Sequence, residues 1–164
     1  MSETISIHEG LSKKEKYEAL IPQIVSLVEG ENDLIANTAN IIAALKETFS
    51  FFWVGIYFIK NDNSKEELVL GPFQGPPACV RIAKGKGVCG TSWSTKSSLI
   101  VPDVNLFPGH IACSPFSKSE IVVPVIKNNE VLAVIDIDSS QPSDFDSIDE
   151  IYITEISKLI SKMI

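Results

Sequence analysis

The chain lacks most of what marks secreted, membrane-bound or nucleic-acid-binding proteins. It does not open on a basic segment leading into an apolar stretch, and no apolar run approaches the ~20 residues that a membrane span needs. These absences predict a soluble, cytoplasmic protein. Lys and Arg number only 14 against 21 Asp and Glu, a net charge of -7 with a pI near 4.8. Nucleic acid and anionic lipid, which need clustered basic side chains, are therefore excluded as partners. Cysteine is scarce, with three residues and no C-x-x-C pair. In a reducing compartment an odd count excludes a static disulfide framework, so any disulfide here should be transient. No repeat, low-complexity tract or Pro/Gly/Ser-rich linker divides the 164 residues. The 45% that are hydrophobic suffice for one core.

What is present has two periods. Ser12 and Glu15 form a capping box, followed by Tyr17, Leu20, Ile21, Ile24, Leu27 and Val28 at helical spacing up to Gly30, with Pro22 as an expected kink or local break. Asp33 caps a second helix through Glu47, and a last helix runs through Ile148, Ile151, Tyr152, Ile156, Leu159, Ile160 and Met163. Between them the pattern predicts strands over Phe52 to Ile59, Glu67 to Phe73, Cys79 to Ile82, Leu99 to Pro102, Glu120 to Ile126 and Glu130 to Ile137. Asn128 and Asn129 suit a tight hairpin. The expected architecture is one α+β domain over 1–164: N-terminal helices in 1–49, a mostly antiparallel sheet with active-site loops in 50–142, and a C-terminal helix in 143–164. N- and C-terminal helices would cover one sheet face and leave a ligand pocket under loops on the other.

Several groups invite chemistry, each beside a plainer use. Gly85-Lys86-Gly87-Val88-Cys89-Gly90 matches G-x-G-x-x-G. A dinucleotide fingerprint would need a parallel βαβ unit, so a turn requiring positive φ and close backbone approach, leading into a short helix from Val88 to about Lys96, fits better. His110 and Cys113 have H-x-x-C spacing, but a structural zinc site usually shows a C-x-x-C knuckle. Cys113 lies among turn residues in Gly109-His110-Ile111-Ala112-Cys113-Ser114-Pro115, where a thiol can reach a cleft; a buried, inert cysteine is the rival. Cys79 and Cys89, taken singly, look structural. Asp136 and Asp138 project from one strand face, and Glu120 opens the neighbouring strand. Either this is a strand end fraying into solvent, or like charges meet and at least one carboxyl keeps its proton. Trp53 and Tyr57, four apart on a strand, share a face as pocket wall or core.

Taken together, Gly71-Pro-Phe-Gln-Gly75, Ala78-Cys-Val-Arg-Ile82, Gly85-Lys-Gly-Val-Cys-Gly-Thr91, Gly109-His-Ile-Ala-Cys113, Ser119-Glu-Ile-Val122 and Ile135-Asp-Ile-Asp-Ser139 closely resemble the free methionine-(R)-sulfoxide reductases, which are catalytic GAF domains. The resemblance implies a GAF-like fold and reduction of free methionine-(R)-sulfoxide without metal or organic cofactor. It gives Cys113 the attack on the sulfoxide sulfur, Cys79 the resolving disulfide and Cys89 an auxiliary role. Glu120, Asp136 and Asp138 would bind substrate, one of them protonating its oxygen, with Trp53 and Tyr57 walling the methyl group. Backbone N–H groups of Ile111 and Ala112, in the Ile111 to Pro115 loop, would take the carboxylate. A thioredoxin-like dithiol would recycle the enzyme, and the apolar first and last helices point to a homodimer. The alternative is a non-catalytic GAF sensor of small molecules, expected to carry dispensable cysteines and an output domain.

Overall fold

In the computed structural model, which describes residues 4–62, 65–111 and 114–164, local signals set the helix boundaries. The Ser12 hydroxyl accepts from the Glu15 N–H while the Glu15 carboxylate accepts from the Ser12 N–H, and this capping box starts α1 (Lys13–Val28). The helix runs on through Pro22, so the expected break does not occur. The carbonyl that Pro22 leaves without a partner belongs to exposed Glu18, where water can serve it. Asp33 accepts from the Ala36 N–H to start α2 (Leu34–Phe49), and Ser50 closes it in the left-handed conformation.

Six strands follow: β1 (Trp53–Asp62), β2 (Lys65–Gln74), β3 (Arg81–Ala83), β4 (Leu99–Val101), β5 (Ser119–Lys127) and β6 (Glu130–Ser139). They form one sheet in the order β3-β2-β1-β6-β5-β4, with every pairing antiparallel. Asn128 and Asn129, both at positive φ, make the tight β5–β6 turn. The third strand starts later than expected, at Arg81, so Cys79 lies in the loop before it. A 3-10 turn (Val104–Leu106) lies between β4 and β5.

Alternation along the central strands sorts side chains between two faces. Val54 and Ile56 of β1 and Ile135 and Ile137 of β6 pack with Tyr17, Leu20 and Ile24 of α1, Ile41 and Leu45 of α2, and Ile153 and Ile156 of α4 (Ser147–Ser161). Each such fully buried side chain contributes about 1.5–3 kcal/mol. Trp53, Tyr57, Val122 and Val134 point the other way, against Val88, Cys89 and Trp93 of α3 (Gly87–Thr95). The three long helices therefore share one face, as expected, and the other carries loops plus one short helix.

That short helix is set by the G-x-G-x-x-G turn. Gly85 and Gly87 have φ of +75° and +60°, and a Cβ on Gly90 would lie 2.3 Å from the Ala83 carbonyl oxygen. The glycines thus serve close backbone approach next to β3, whose pairing with β2 is antiparallel.

Candidate active site

Sheet register builds the site on the α3 face. Trp53 of β1, Asp138 of β6 and Glu120 of β5 lie in one cross-strand row; Gly55, Asp136 and Val122 form the next. Three carboxyl groups therefore share a face near the middle of the sheet. Gly55 leaves room beside Asp136, and the Trp53 indole lies across it: a Cβ there would meet Trp53 Cη2 at 2.3 Å. The indole stacks on Phe73 and Tyr57, with ring centroids 5.5 and 6.1 Å away, and its N–H donates to the Pro76 carbonyl at 3.0 Å. Tyr57 donates its hydroxyl to the Cys79 carbonyl at 3.0 Å, tying the sheet to the loop before β3.

One cavity collects most of the residues expected from the sequence: Trp53, Tyr57, Cys89, Ile111, Glu120, Asp136 and Asp138. Its rim includes Ala78, next to Cys79, and Ser114. Ala112 and Cys113 lie outside the described residues. Cys79 is disulfide-bonded, which leaves Cys89 as the free cysteine among the described residues. The sequence carries no signal for Ser117, and it offers His110 as a zinc candidate, an ordinary loop residue or a group able to perturb a thiol. Both line the cavity. His110 places Nε2 3.6 Å from a Glu120 carboxylate oxygen, and the Ser117 hydroxyl donates to Asp138 Oδ1. A serine close to a glutamate is too common in sequences to signal this; only the return of the loop over the sheet brings it there.

Electrostatically the site is a set of acids pressed together. Burial, then repulsion from Asp138, pushes Glu120 well above the usual carboxylate range. Burial, then Glu120 and Asp138, does the same to Asp136. Asp138 is raised by burial only to about 6, because the Ser117 hydrogen bond and His110 favour its ionised form. Cys89 is buried beside Asp136 and Glu120, which keeps its thiol protonated. The carboxylates are thus not a frayed strand end; they face a cavity. One oxygen, Asp136 Oδ1, is buried with no hydrogen-bond partner among the described residues. An orphaned buried polar atom of this kind calls for a partner brought from outside.

Cys89, Glu120 and Asp136 bring donor atoms within 4.8 Å of one another, close enough to share a cation. A cation would have to displace protons that burial holds on all three groups. A ligand with polar groups of its own answers the site without that cost, since it can partner Asp136 Oδ1 and accept a proton from the buried acids.

Residues 29–164 match the GAF domain family. The chain is 58% identical over 160 residues to "GAF domain-containing protein A" of Dictyostelium discoideum, covering 98% of this chain and 99% of that one. It is 40% identical over 164 residues to "Free methionine-R-sulfoxide reductase" of Saccharomyces cerevisiae, covering 96% and 91%. Among solved structures, the free methionine-R-sulfoxide reductase of Neisseria meningitidis in complex with its substrate superposes with a TM-score of 0.92 at 44% identity, covering 98% of this chain and 95% of that one.

Proposed function

Because the chain belongs to the GAF domain family, and within it to the free methionine-R-sulfoxide reductases, we propose that it reduces free methionine-(R)-sulfoxide to methionine. The observation that carries this is the orphaned Asp136 Oδ1 in a cavity that also holds protonated acids, an aromatic wall and a thiol. Sulfoxide sulfur is a poor electrophile until its oxygen is protonated, so an acid that keeps its proton at neutral pH is the needed equipment. Glu120 and Asp136, both shifted strongly upward, fit that role. Asp138, ionised above about pH 6, fits the ammonium. Trp53 and Tyr57 fit the methyl group, and backbone N–H groups of the loop from Ile111 through Ala112 fit the carboxylate.

In the proposed sequence the Cys113 thiolate attacks the sulfur as the oxygen takes a proton. The hydroxyl then passes from the substrate sulfur to that of Cys113 as the new S–S bond breaks, so that methionine leaves as the thioether and Cys113 is left as a sulfenic acid. The Cys79 thiol then attacks that sulfur, releasing water and closing a Cys79–Cys113 disulfide. A thioredoxin-like dithiol returns both to thiols and is itself oxidised. The disulfide-bonded state of Cys79 fits a cysteine that resolves by disulfide formation, and the buried, protonated thiol of Cys89 suits an auxiliary position better than attack. A cytoplasmic homodimer is the proposed setting.

Purified protein mixed with each epimer of free methionine sulfoxide and dithiothreitol tests the reading. Methionine should form from the R epimer alone; no turnover of that epimer sinks it.

A further inference from the structure

Three neighbouring acids are asked to do unlike work, and their identities alone do not tell them apart. Glu120 and Asp138 face each other across β5 and β6, and Asp136 is two residues along the same face. What differs is what reaches them from outside the sheet. Just before β5, Ser117, itself only 6% exposed, lines the cavity and its hydroxyl donates to Asp138 Oδ1. Asp136 Oδ1 receives nothing from the described residues, its carboxyl having from outside the sheet only the weakly donating Cys89 thiol, and the His110 imidazole stands back from Glu120 with Nε2 at 3.6 Å.

We propose that Ser117 is a positioning residue that makes Asp138 the standing anion of the pocket, the carboxylate that receives the substrate's ammonium group, and so leaves the transferable proton on Glu120 and Asp136. This rests on the function proposed above. Three carboxyl groups in one low-dielectric cavity cannot all ionise, so the single charge settles where donors to the anion are concentrated. The groups facing Asp138 are Trp53 and Tyr57 of β1, Glu120 of β5, Asp136 of β6, Cys89 of α3, Lys86 at its start, and His110 and Ser117 from the loop. Among them Ser117 alone has a described hydrogen bond to the Asp138 carboxylate. Asp138 is raised only to about 6, while burial and like charge push the other two acids well above the usual carboxylate range, which agrees.

The test compares wild type with Ser117→Ala and Ser117→Thr. In protein labelled with 13C at aspartate carboxyls, with the Asp138 signal identified by its loss in Asp138→Asn, the Ser117→Ala titration midpoint should rise and Ser117→Thr should return it. With free methionine-(R)-sulfoxide, KM of Ser117→Ala at pH 6 should rise about fivefold, matching a midpoint rise of about one unit from a value near the assay pH, while kcat above pH 8 stays within about twofold of wild type. A merely structural serine would lower kcat at every pH and leave the midpoint alone. An unmoved Asp138 midpoint, or a KM–pH profile parallel to wild type, overturns the proposal. The titration needs no substrate, so it still decides the charge assignment if wild type fails to turn over the R epimer, a result that counts against the function instead.

Discussion

Cys79 and Cys89 differ in chemical standing although both border one cavity region. Cys79 lies on a loop and is disulfide-bonded; Cys89 is 3% exposed on α3, with two acids holding its proton in place. After reduction, iodoacetamide at pH 7.5 should alkylate Cys89 far more slowly than the other two thiols, which peptide mass spectrometry can follow. Labelling of Cys89 at the rate of the others would contradict the burial described here. Asp138 makes a second prediction, whose sign follows from linkage. Its folded-state value of about 6 lies above the ordinary 3.8, so between pH 4 and 6 the unfolded chain gives up the proton first and ligand-free stability falls as pH rises. The loss is of order 3 kcal/mol. Asp138→Asn should make that fall shallower by its own share, Glu120 and Asp136 still contributing theirs, in urea denaturation series at pH 4, 5, 6 and 7, and should be the more stable protein at pH 7 even as it loses substrate affinity.

At the scale of elements, glycine contacts decide whether the wall and the short helix can form. A methyl group at Gly55 would meet Trp53 Cη2 at 2.3 Å and Phe73 Cβ at 2.7 Å. Gly55→Ala should therefore cost about 1–3 kcal/mol and raise KM by displacing the indole, seen together as a lower urea midpoint and a changed near-ultraviolet circular dichroism spectrum. The elements themselves were largely legible. Ser12, Glu15 and Asp33 announce helix starts, alternation announces strands, and Asn128-Asn129 announces the hairpin, because each signal is local. Register was not. That Gly55 lies opposite Asp136, and Trp53 opposite Asp138, depends on how β1 pairs with β6, and no short stretch of sequence records it. Ser117 was invisible for the same reason. The early placement of the third strand failed because its partner residues begin only at Val69 and Arg81, leaving Cys79 without a ladder position.

For the whole molecule, the face away from the site is locked by a buried polar contact between the two ends of the chain. Tyr17 of α1 donates to Asp149 of α4 at 2.9 Å, and Lys13 reaches both Asp146 and Asp149. Asp149 is 1% exposed, so Tyr17→Phe, which strips it of one donor, should cost about 1–3 kcal/mol. Thermal denaturation should show the loss with kinetic constants unchanged, since the contact lies on the helix-covered side of the sheet.

The two tryptophans have unlike surroundings: Trp93 lies on α3 with the Lys84 ammonium 5.0 Å from its ring centre, whereas Trp53 forms part of the cavity wall beside a cluster of acids. Protonated carboxyls quench an excited indole by proton and electron transfer, so a guest that sequesters those protons should brighten Trp53 and leave Trp93 dark to the event. Trp53 emission should therefore report occupancy of the cavity without any added dye.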